Sequence, residues 1–531
     1  MTLRADPALT RLAEAILIPP FPGPSAPPWI LDALGRGLAG VTLFGQNIST
    51  PDQVSTLTAS LRAAAPAAAP VIAIDEEGGD VTRVAYADGS PYPGNAALGA
   101  VDDTAATDAV YRAIGADLAR LGVNLDLAPC ADVLGAADSP AVGTRSFGTD
   151  TGLVARHTAA AVAGLQGAGV AACTKHFPGH GRTGTDTHEA IATIEGGLAE
   201  LRRRDLPPFE AAIRAGTIAI MPSHLRLPEL TGDLPATVSR AALTGLLRGE
   251  LGFTGVIVSD ALEMRATRDM FGIPAAAVLA VAAGTDLLCL GRDSSEEEYL
   301  AVRAALVTAV GDGTLPGPRL EEAADRVARL RGGLARPRVA SAASAASAAD
   351  RKDGEGSGLA AAGTGVLSLV ADRARIGLAA ARRAARMSGP RPALSHPLII
   401  EVEPRENIAA GRFGWGLAPW APAGSVRRVS ALGNGAGPAA AAGLGAAAGL
   451  GAAAGILQAA AGRSLVAVVR DAHRDQNTRS LIGALLAARP DLVLVEMGLP
   501  RWQPPGDTTY LATYGASRAS ARAAAELLGL A

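Results

Sequence analysis

Lysine is almost absent from this chain: Lys175 and Lys352 are the only two among 531 residues, and arginine supplies the remaining positive charge. Arginine cannot replace the compact ammonium group of lysine in a tight site. In a chain that otherwise uses arginine for positive charge, a retained lysine is therefore a better functional candidate than an average lysine. Aromatic residues make up only 3% of the chain, and the formal net charge is −3. This charge gives no electrostatic reason to expect nucleic acid or a membrane surface as a partner, so a small molecule is the expected ligand.

Cysteine is also scarce. Cys130, Cys173 and Cys289 each lie in an apolar run typical of a strand, which predicts buried free thiols. Residues 1–23 lack the ordered regions of a signal peptide, and the uncharged run 435–462 is too rich in glycine and alanine for a membrane span. We therefore expect a soluble, cytoplasmic protein.

Short apolar runs alternate with helix-type stretches such as 102–122 and 198–216 in the first part of the chain. The runs lie at 15–19, 41–44, 71–75, 124–129, 172–177, 218–224, 256–261 and 286–291. Most are continuously apolar, as in strands buried on both faces. Eight such strands alternating with helices predict a (β/α)₈ barrel, with a doubly wound open sheet as the alternative. No Gly-x-Gly-x-x-Gly motif follows the first run, which weighs against a dinucleotide site there.

The rest of the chain predicts a second domain, since 531 residues exceed what one core supports. We expect a catalytic barrel at 1–335, an Ala/Ser/Gly-rich linker at 336–364 and an α/β domain at 365–531. Strand patterns in this last domain alternate with helix patterns, which indicates a mostly parallel sheet. The strand patterns lie at 395–403, 463–472 and 490–498.

Polar side chains appear where the apolar runs of the barrel end. They are Asp75, Asp132, Lys175, His176, His224 and Asp260. In a barrel the carboxyl ends of the strands form the active-site face. One such residue would be explained as a helix cap, but several on one rim predict a functional site.

The stretch "TKHFPGHGRTGTDTHEA" at 174–190 holds three of the seven histidines. Two ordinary explanations exist: His180 lies between glycines and suits a turn, and "DTH" suits a solvated turn. A metal site is a sharper alternative, because imidazole and carboxylate both suit zinc. Its ligands would be His176, His180, Asp186 and His188. The first strand lacks the His-x-His pair of barrel metallohydrolases, so we expect neither a metal nor a cofactor.

Carboxylate chemistry is the other alternative. Asp260 ends a buried run and can act as a nucleophile if neighbouring donors keep it ionised. It needs a partner that protonates the leaving group. Glu263 is one candidate, and His188 is another, with Asp186 two residues earlier to orient its imidazole.

With these residues in view, the chain resembles glycoside hydrolase family 3, specifically its bacterial β-N-acetylglucosaminidases. The motifs that carry the resemblance are "GVTLFGQNI" (40–48), "IDEEGGDVTRV" (74–84), "GVNLDLAPCADV" (122–133), "VGTRSFGTD" (142–150), "TKHFPGHGRTGTDTHEA" (174–190), "IMPSH" (220–224), "VIVSDALEM" (256–264) and "LATYGASRASARAAAELLGL" (511–530). The resemblance implies an α/β protein in which a (β/α)₈ barrel precedes an αβα sandwich domain.

The resemblance further implies a retaining exo-glycosidase that removes terminal β-linked N-acetylglucosamine. The implied substrates are muropeptides or amino-sugar glycosides, and the implied role is cell-wall recycling. Asp260 would be the nucleophile, His188 the acid/base and Asp186 its dyad partner. The implied sugar-binding residues are Asp75, Arg83, Arg145, Lys175 and His176. Glu263 then becomes a helix-start residue.

The chain departs from the family pattern at Glu76 and Asp80, where members commonly carry Gln and Arg, and these changes add negative charge near the rim. The His-Asp dyad is also associated with phosphorolysis, so a β-N-acetylglucosaminide phosphorylase that uses inorganic phosphate is an alternative function. A sugar-binding protein without catalysis is a third possible function. This alternative predicts that the nucleophile or the dyad is damaged.

Overall fold

A computed structural model describes residues 6–135, 139–184, 191–194, 196–334, 361–404, 410–411, 413–431 and 445–531. The chain divides into two compact units. The barrel unit comprises 1–77, 103–142 and 146–369, and the sandwich unit comprises 78–102, 143–145 and 370–531. The short segments 78–102 and 143–145, which come from the first half of the sequence, therefore group with the C-terminal residues. The domain bounds expected from the sequence stay a prediction.

The barrel unit contains ten strands in its described part. They are β1 (Leu17–Ile18), β2 (Gly40–Leu43), β3 (Val71–Ile74), β4 (Leu125–Asp126), β5 (Ala171–Phe177), β6 (Ala192–Thr193), β7 (Ala219–Pro222), β8 (Leu225–Arg226), β9 (Val256–Ile257) and β10 (Leu288–Cys289). Six pair in the order β2-β3-β4-β5-β7-β9, all parallel.

The sheet closes through β1 and β10. These two strands pair in parallel, and a bridge from Val258 to Leu287 joins β9 to β10. The amide of Thr42 donates to the carbonyl of Pro19 at 3.3 Å, which joins β2 to the end of β1. All eight predicted barrel strands are thus confirmed, and the open-sheet alternative is wrong. The extra pair β6–β8 lies outside this ring.

Helices connect the barrel strands. They span Pro7–Glu14, Pro28–Arg36, Pro51–Ala63, Thr104–Arg120, Thr151–Gly167, Leu198–Arg204, Leu206–Arg214, Pro228–Thr231, Ala241–Glu250 (a π-helix), Arg265–Phe271, Ile273–Ala283, Glu296–Gly311 and Gly317–Leu334. Side chains at their starts explain several boundaries: Asp103 accepts from the amides of Ala105 and Ala106, and Ser295 forms a capping box with Glu298.

The helix-type stretch 198–216 is two helices, not one. The first ends at Arg204, and the second begins at Leu206, with Pro207 and Pro208 in its first turn. Proline lacks an amide hydrogen and clashes with a preceding helical turn, so it suits a helix start and interrupts a continuous helix.

The barrel strands are buried on both faces, which explains why their sequences do not alternate. The three cysteines are free and buried, as expected. Burial raises the pKa of the Cys289 thiol to about 12 and that of Cys173 still further above its usual value. At neutral pH these two thiols are therefore protonated.

The sandwich unit is built on a six-stranded sheet. Its strands are β11 (Arg386–Ser388), β12 (Leu398–Val402), β13 (Val426–Val429), β14 (Leu465–Val469), β15 (Val493–Glu496) and β16 (Thr509–Ala512). Their order is β11-β16-β15-β14-β12-β13, and β11 alone runs antiparallel among these described strands. The mostly parallel sheet is confirmed. The edge strands β11 and β13 were missed, because their partly exposed, Arg-containing sequences lack a buried apolar run. The inner strand β16 was also missed, because its four residues include Thr509 and Tyr510 and form no continuous apolar run.

Helices cover both faces of this sheet. Alternate residues of β12 belong to different clusters: Leu398 and Ile400 pack with Ile456 and Leu481, whereas Ile399 packs on the opposite face with Leu528. The helices of the unit are Asn95–Val101, Gly445–Ala459, Gln476–Ala488 and Arg518–Leu527, with most of Ala361–Ala384. The predicted αβα sandwich is therefore confirmed.

Most of the predicted linker 336–364 lies outside the described residues, and its last four residues begin the helix Ala361–Ala384. Within the described part of the chain, no single helix has the length and apolar composition needed to cross a membrane. The helices Arg265–Phe271 and Ile273–Ala283 have this length and composition only when they are taken together, and the pair is bent by 102°.

Candidate active site

The predicted polar residues of the barrel unit follow strands that all run in the same direction. Asp75 comes directly after β3, Lys175 and His176 lie near the end of β5, and Asp260 lies just beyond β9. Because the barrel is parallel and closed, these side chains lie at its carboxyl-terminal rim. This rim is the candidate active site.

Lys175 is the electrostatic centre of the rim. Its side chain is only 2% exposed, and its ammonium contacts Asp75 Oδ1 at 2.6 Å and Glu77 Oε1 at 2.9 Å. The two carboxylates hold the ammonium in place, so the rim presents both a charged hydrogen-bond donor and charged acceptors. Glu77 was missed in the sequence. It lies two residues after Asp75, and this period-two spacing in an extended segment is a signal that could have found it.

Asp126, at the end of β4, is a second missed carboxyl. It is fully buried, and its Oδ1 accepts from the amide of Glu76 at 3.0 Å, whereas its Oδ2 has no hydrogen-bond partner among the described residues. Burial raises the pKa of Asp126 well above its usual value, with the negative charges of Glu76 and Asp75 adding to this effect. An aspartate inside an otherwise apolar run was the available sequence signal.

Asp132 joins several parts of the site. Its Oδ2 accepts from Nδ1 of His176 at 2.7 Å and from the Cys130 thiol at 3.1 Å, and its Oδ1 accepts from the amide of His180 at 2.6 Å. Burial opposes the charge on Asp132, but the electrostatic attraction of His176 and His180 and the hydrogen bonds from both residues outweigh it and lower the pKa of the carboxyl. The ring of His180 packs edge-on against the ring of His176, with 5.9 Å between the two ring centroids.

The same network bears on metal binding. Ligand atoms of Cys130, Asp132 and His176 lie within 4.8 Å of one another, which would suit a soft divalent cation. Both oxygens of Asp132 are already engaged by protein donors. This set differs from the His176, His180, Asp186 and His188 alternative drawn from the sequence.

The loop after β5 needs glycine at two positions. Gly179 has φ +129°, and a Cβ there would lie 2.8 Å from Cβ of Asp205. A Cβ on Gly181 would lie 2.1 Å from the carbonyl oxygen of Val133. Both glycines therefore allow the close turn expected from the sequence. The predicted acid/base His188 and its partner Asp186 lie outside the described residues.

Asp260 lies in a tightly held turn. Its Oδ1 accepts from the amide of Ala261 at 2.8 Å. The buried His224 contacts the Ala261 carbonyl through Nε2 at 3.0 Å and Thr237 Oγ1 through Nδ1 at 2.8 Å. Asp260 itself is partly exposed, as a nucleophile must be. The contact of His224 with the residue after Asp260 explains a polar strand end to which the sequence assigned no role.

Glu263 lies two residues before the helix that begins at Arg265, so it is not within the helix. Its side chain packs over Gly291: a Cβ on that residue would lie 1.1 Å from Oε2 of Glu263. Burial raises the pKa of Glu263 to about 7, and backbone hydrogen bonds from Asp293 and Arg292 partly offset this effect. Glu263 therefore titrates near neutral pH.

We expect Glu263→Gln to become more stable relative to the wild type as the pH rises. In the wild type the pKa of Glu263 is higher in the folded state than in the unfolded state, so the folded protein binds the proton more tightly. The wild type therefore loses stability as the pH rises from about 4.5 to about 7. Glutamine cannot ionise, so the relative gain should reach roughly 1–3 kcal/mol above neutrality. Thermal unfolding midpoints across this range measure it. Glu250→Gln, whose side chain is 49% exposed, is the control; a stability difference that stays constant with pH would contradict the prediction.

Arg83 and Arg145, two predicted sugar-binding residues, belong to the sandwich unit. The carbonyl of Arg145 accepts from Asn95 Nδ2 at 2.7 Å. Asp80 is buried, and it accepts from Thr144 Oγ1 at 2.8 Å and from Arg470 Nη2 at 2.9 Å. The negative charge that departs from the family pattern at Asp80 is therefore balanced by Arg470.

Comparisons with known proteins agree with this architecture. Residues 32–330 match the model described as "Glycosyl hydrolase family 3 N terminal domain". A "Beta-hexosaminidase" of Stenotrophomonas maltophilia (strain K279a) is 39% identical over 290 residues, which are 52% of this chain and 85% of that protein.

Solved structures extend the similarity. A glycoside hydrolase family 3 β-N-acetylglucosaminidase from Paenibacillus sp. str. FPU-7 superimposes with a TM-score of 0.80 at 29% identity, covering 98% of this chain and 97% of that one. NagZ from Neisseria gonorrhoeae, in complex with N-trifluoroacetyl-D-glucosamine, gives a TM-score of 0.54 at 27% identity and covers 68% of this chain and 97% of its own.

Proposed function

Because the chain belongs to glycoside hydrolase family 3, we propose that it is a retaining exo-β-N-acetylglucosaminidase that removes terminal β-linked N-acetylglucosamine. The observation that carries the proposal is the placement of Asp260 and of the Lys175–Asp75 ion pair at the same rim of one barrel. Relatives named as β-hexosaminidases and β-N-acetylglucosaminidases support the sugar specificity.

The reaction proceeds in two displacements. In the first, a carboxylate oxygen of Asp260 forms a bond to the anomeric carbon while the glycosidic bond breaks, and His188 protonates the departing oxygen. In the second, His188 takes a proton from water, whose oxygen attacks the anomeric carbon and releases Asp260. Asp186 orients His188 and stabilises its positive charge. These roles rest on the family resemblance.

Sugar recognition follows from the charges at the rim. Sugar hydroxyls can donate hydrogen bonds to the carboxylate of Asp75 and can accept hydrogen bonds from the ammonium of Lys175. The ion pair between these two residues keeps both groups oriented before substrate arrives. We assign His176, Arg83 and Arg145 to the same task by the family resemblance.

The natural substrate and the acceptor belong to the same proposal. We propose muropeptides or related amino-sugar glycosides as substrates, in the cytoplasm, and water as the acceptor. A phosphorylase would instead transfer the sugar from Asp260 to inorganic phosphate, and a neutral histidine repels that anion less than a carboxylate does.

Turnover of 4-nitrophenyl β-N-acetylglucosaminide with and without added phosphate tests the proposal. We expect free N-acetylglucosamine as the product, at a rate independent of phosphate, with the β configuration in the first-formed sugar. The sugar 1-phosphate, at a rate that rises with phosphate, would identify a phosphorylase. Folded protein that binds N-acetylglucosamine without turnover would identify a sugar-binding protein.

A further inference from the structure

We infer that Asp132 is a positioning residue of the sugar site, which selects the tautomer of His176 and anchors the start of the loop after β5. This inference rests on the proposed function for the role of His176 and goes beyond it, because Asp132 is assigned no role there. All residues in the argument belong to the barrel unit.

The first step concerns the charge of Asp132. The carboxyl is fully buried and meets donors on both oxygens: the imidazole of His176 and the Cys130 thiol at Oδ2, and the amide of His180 at Oδ1. The amide of His176 adds a longer contact to Oδ1 at 3.4 Å. A carboxylate with several donors keeps its charge even when buried. An ionised carboxylate can only accept hydrogen bonds.

The second step concerns His176. Since Asp132 Oδ2 can only accept, the nitrogen that faces it at 2.7 Å must carry a hydrogen. In the neutral imidazole, Nδ1–H therefore requires an unprotonated Nε2, which can accept a hydrogen bond from a sugar hydroxyl. The partner of one ring nitrogen sets the chemistry of the other.

The third step concerns the loop. The amide of His180 donates to Asp132 Oδ1 at 2.6 Å, and the amide of Gly179 donates to the carbonyl of His176 at 2.8 Å. These bonds fix the turn from β5 toward the residues that follow Gly181. One carboxylate thus couples the orientation of a sugar-binding imidazole to the path of the loop that leads to residues 185–190.

An asparagine at this position would disturb the network asymmetrically. If its Nδ2 faced the amide of His180, two donors would meet at about 2.6 Å. The stable arrangement turns Nδ2 toward His176, whose Nδ1 must then accept, so the hydrogen moves to Nε2. Asp132→Asn should therefore invert the tautomer of His176 with little change in volume.

The experiment compares Asp132→Asn with Asp286→Asn in the full-length protein. Asp286 is an equally buried carboxylate of the barrel unit, paired with Arg248 and Arg319 at the amino-terminal end of β10. We expect Asp132→Asn to raise KM for 4-nitrophenyl β-N-acetylglucosaminide about 10- to 100-fold. Asp286→Asn should lower the unfolding temperature and leave KM within about twofold, since bonds at that end support stability.

Nitrogen-15 NMR of the histidine rings supplies a readout that a purely structural role would not move. The His176 signals, assigned by their loss in His176→Gln, should change from the Nδ1–H to the Nε2–H pattern in Asp132→Asn and stay unchanged in Asp286→Asn. Unchanged His176 signals, or an unchanged KM in a folded and active variant, would overturn the inference. If the wild type proves inactive, the proposed function fails, and the ring signals still decide whether Asp132 selects the tautomer.

Discussion

Asp260→Asn is expected to lower kcat/KM for 4-nitrophenyl β-N-acetylglucosaminide by about 10³-fold or more while the protein stays folded. The amide is nearly the same size as the carboxylate but cannot form the covalent glycosyl intermediate. The contact of His224 with the Ala261 carbonyl helps to hold this turn, and the substitution leaves that contact in place. Steady-state kinetics and the unfolding temperature measure the two effects separately.

Chemical rescue sharpens this test. In Asp260→Ala, azide should enter the space of the carboxylate and restore turnover of an activated glycoside, with the α-glycosyl azide as product, because one displacement inverts the anomeric carbon. Asp269→Asn is the matched control: its side chain is 63% exposed, and its activity should equal that of the wild type. Wild-type rates in Asp260→Asn would assign the nucleophile to another residue.

Lys175→Met should destabilise the barrel unit by about 3–5 kcal/mol and abolish measurable sugar binding. The substitution keeps an unbranched side chain but leaves the carboxylates of Asp75 and Glu77 without the ammonium that contacts both at the rim. Denaturant-induced unfolding measures the loss of stability, and calorimetric titration with N-acetylglucosamine measures the loss of binding.

A second substitution separates charge from packing. Glu77→Gln in the Lys175→Met background removes one of the two uncompensated charges, so it should recover part of the stability but not the sugar binding. Arg202→Met is the control, because Arg202 and Glu250 form a half-exposed pair that contributes at most about 1 kcal/mol. Equal losses for Lys175→Met and Arg202→Met would show that Lys175 is not the electrostatic centre of the rim.

Much of the fold was predictable from the sequence. The eight barrel strands and the inner sandwich strands β12, β14 and β15 were predicted, because most of them are continuous apolar runs buried on both faces. Edge strands such as β13 were not predictable, since the pattern of burial is incomplete there. The grouping of residues 78–102 with the sandwich unit was also hidden, because it depends on contacts with residues hundreds of positions later, such as that of Asp80 with Arg470.

The candidate site was predictable in part. Strand direction brings Asp75, Lys175, His176 and Asp260 to one rim, as the positions of these polar residues indicated. Their individual roles stay predictions, and the same holds for Asp186 and His188. The contacts of Asp132 and Glu77 were not predictable, since a polar residue near a strand end does not reveal which atoms it will meet.

The sequence by itself determined most of the segments that become strands and helices and which residue types reach the rim, because burial pattern and capping depend on near neighbours in the chain. Only the tertiary structure decided which side chains share hydrogen bonds. Lys175 meets Asp75 across 100 residues, and His176 meets Asp132 across 44. These pairs exist because a closed parallel barrel brings separate strand ends together, and no local pattern encodes that closure.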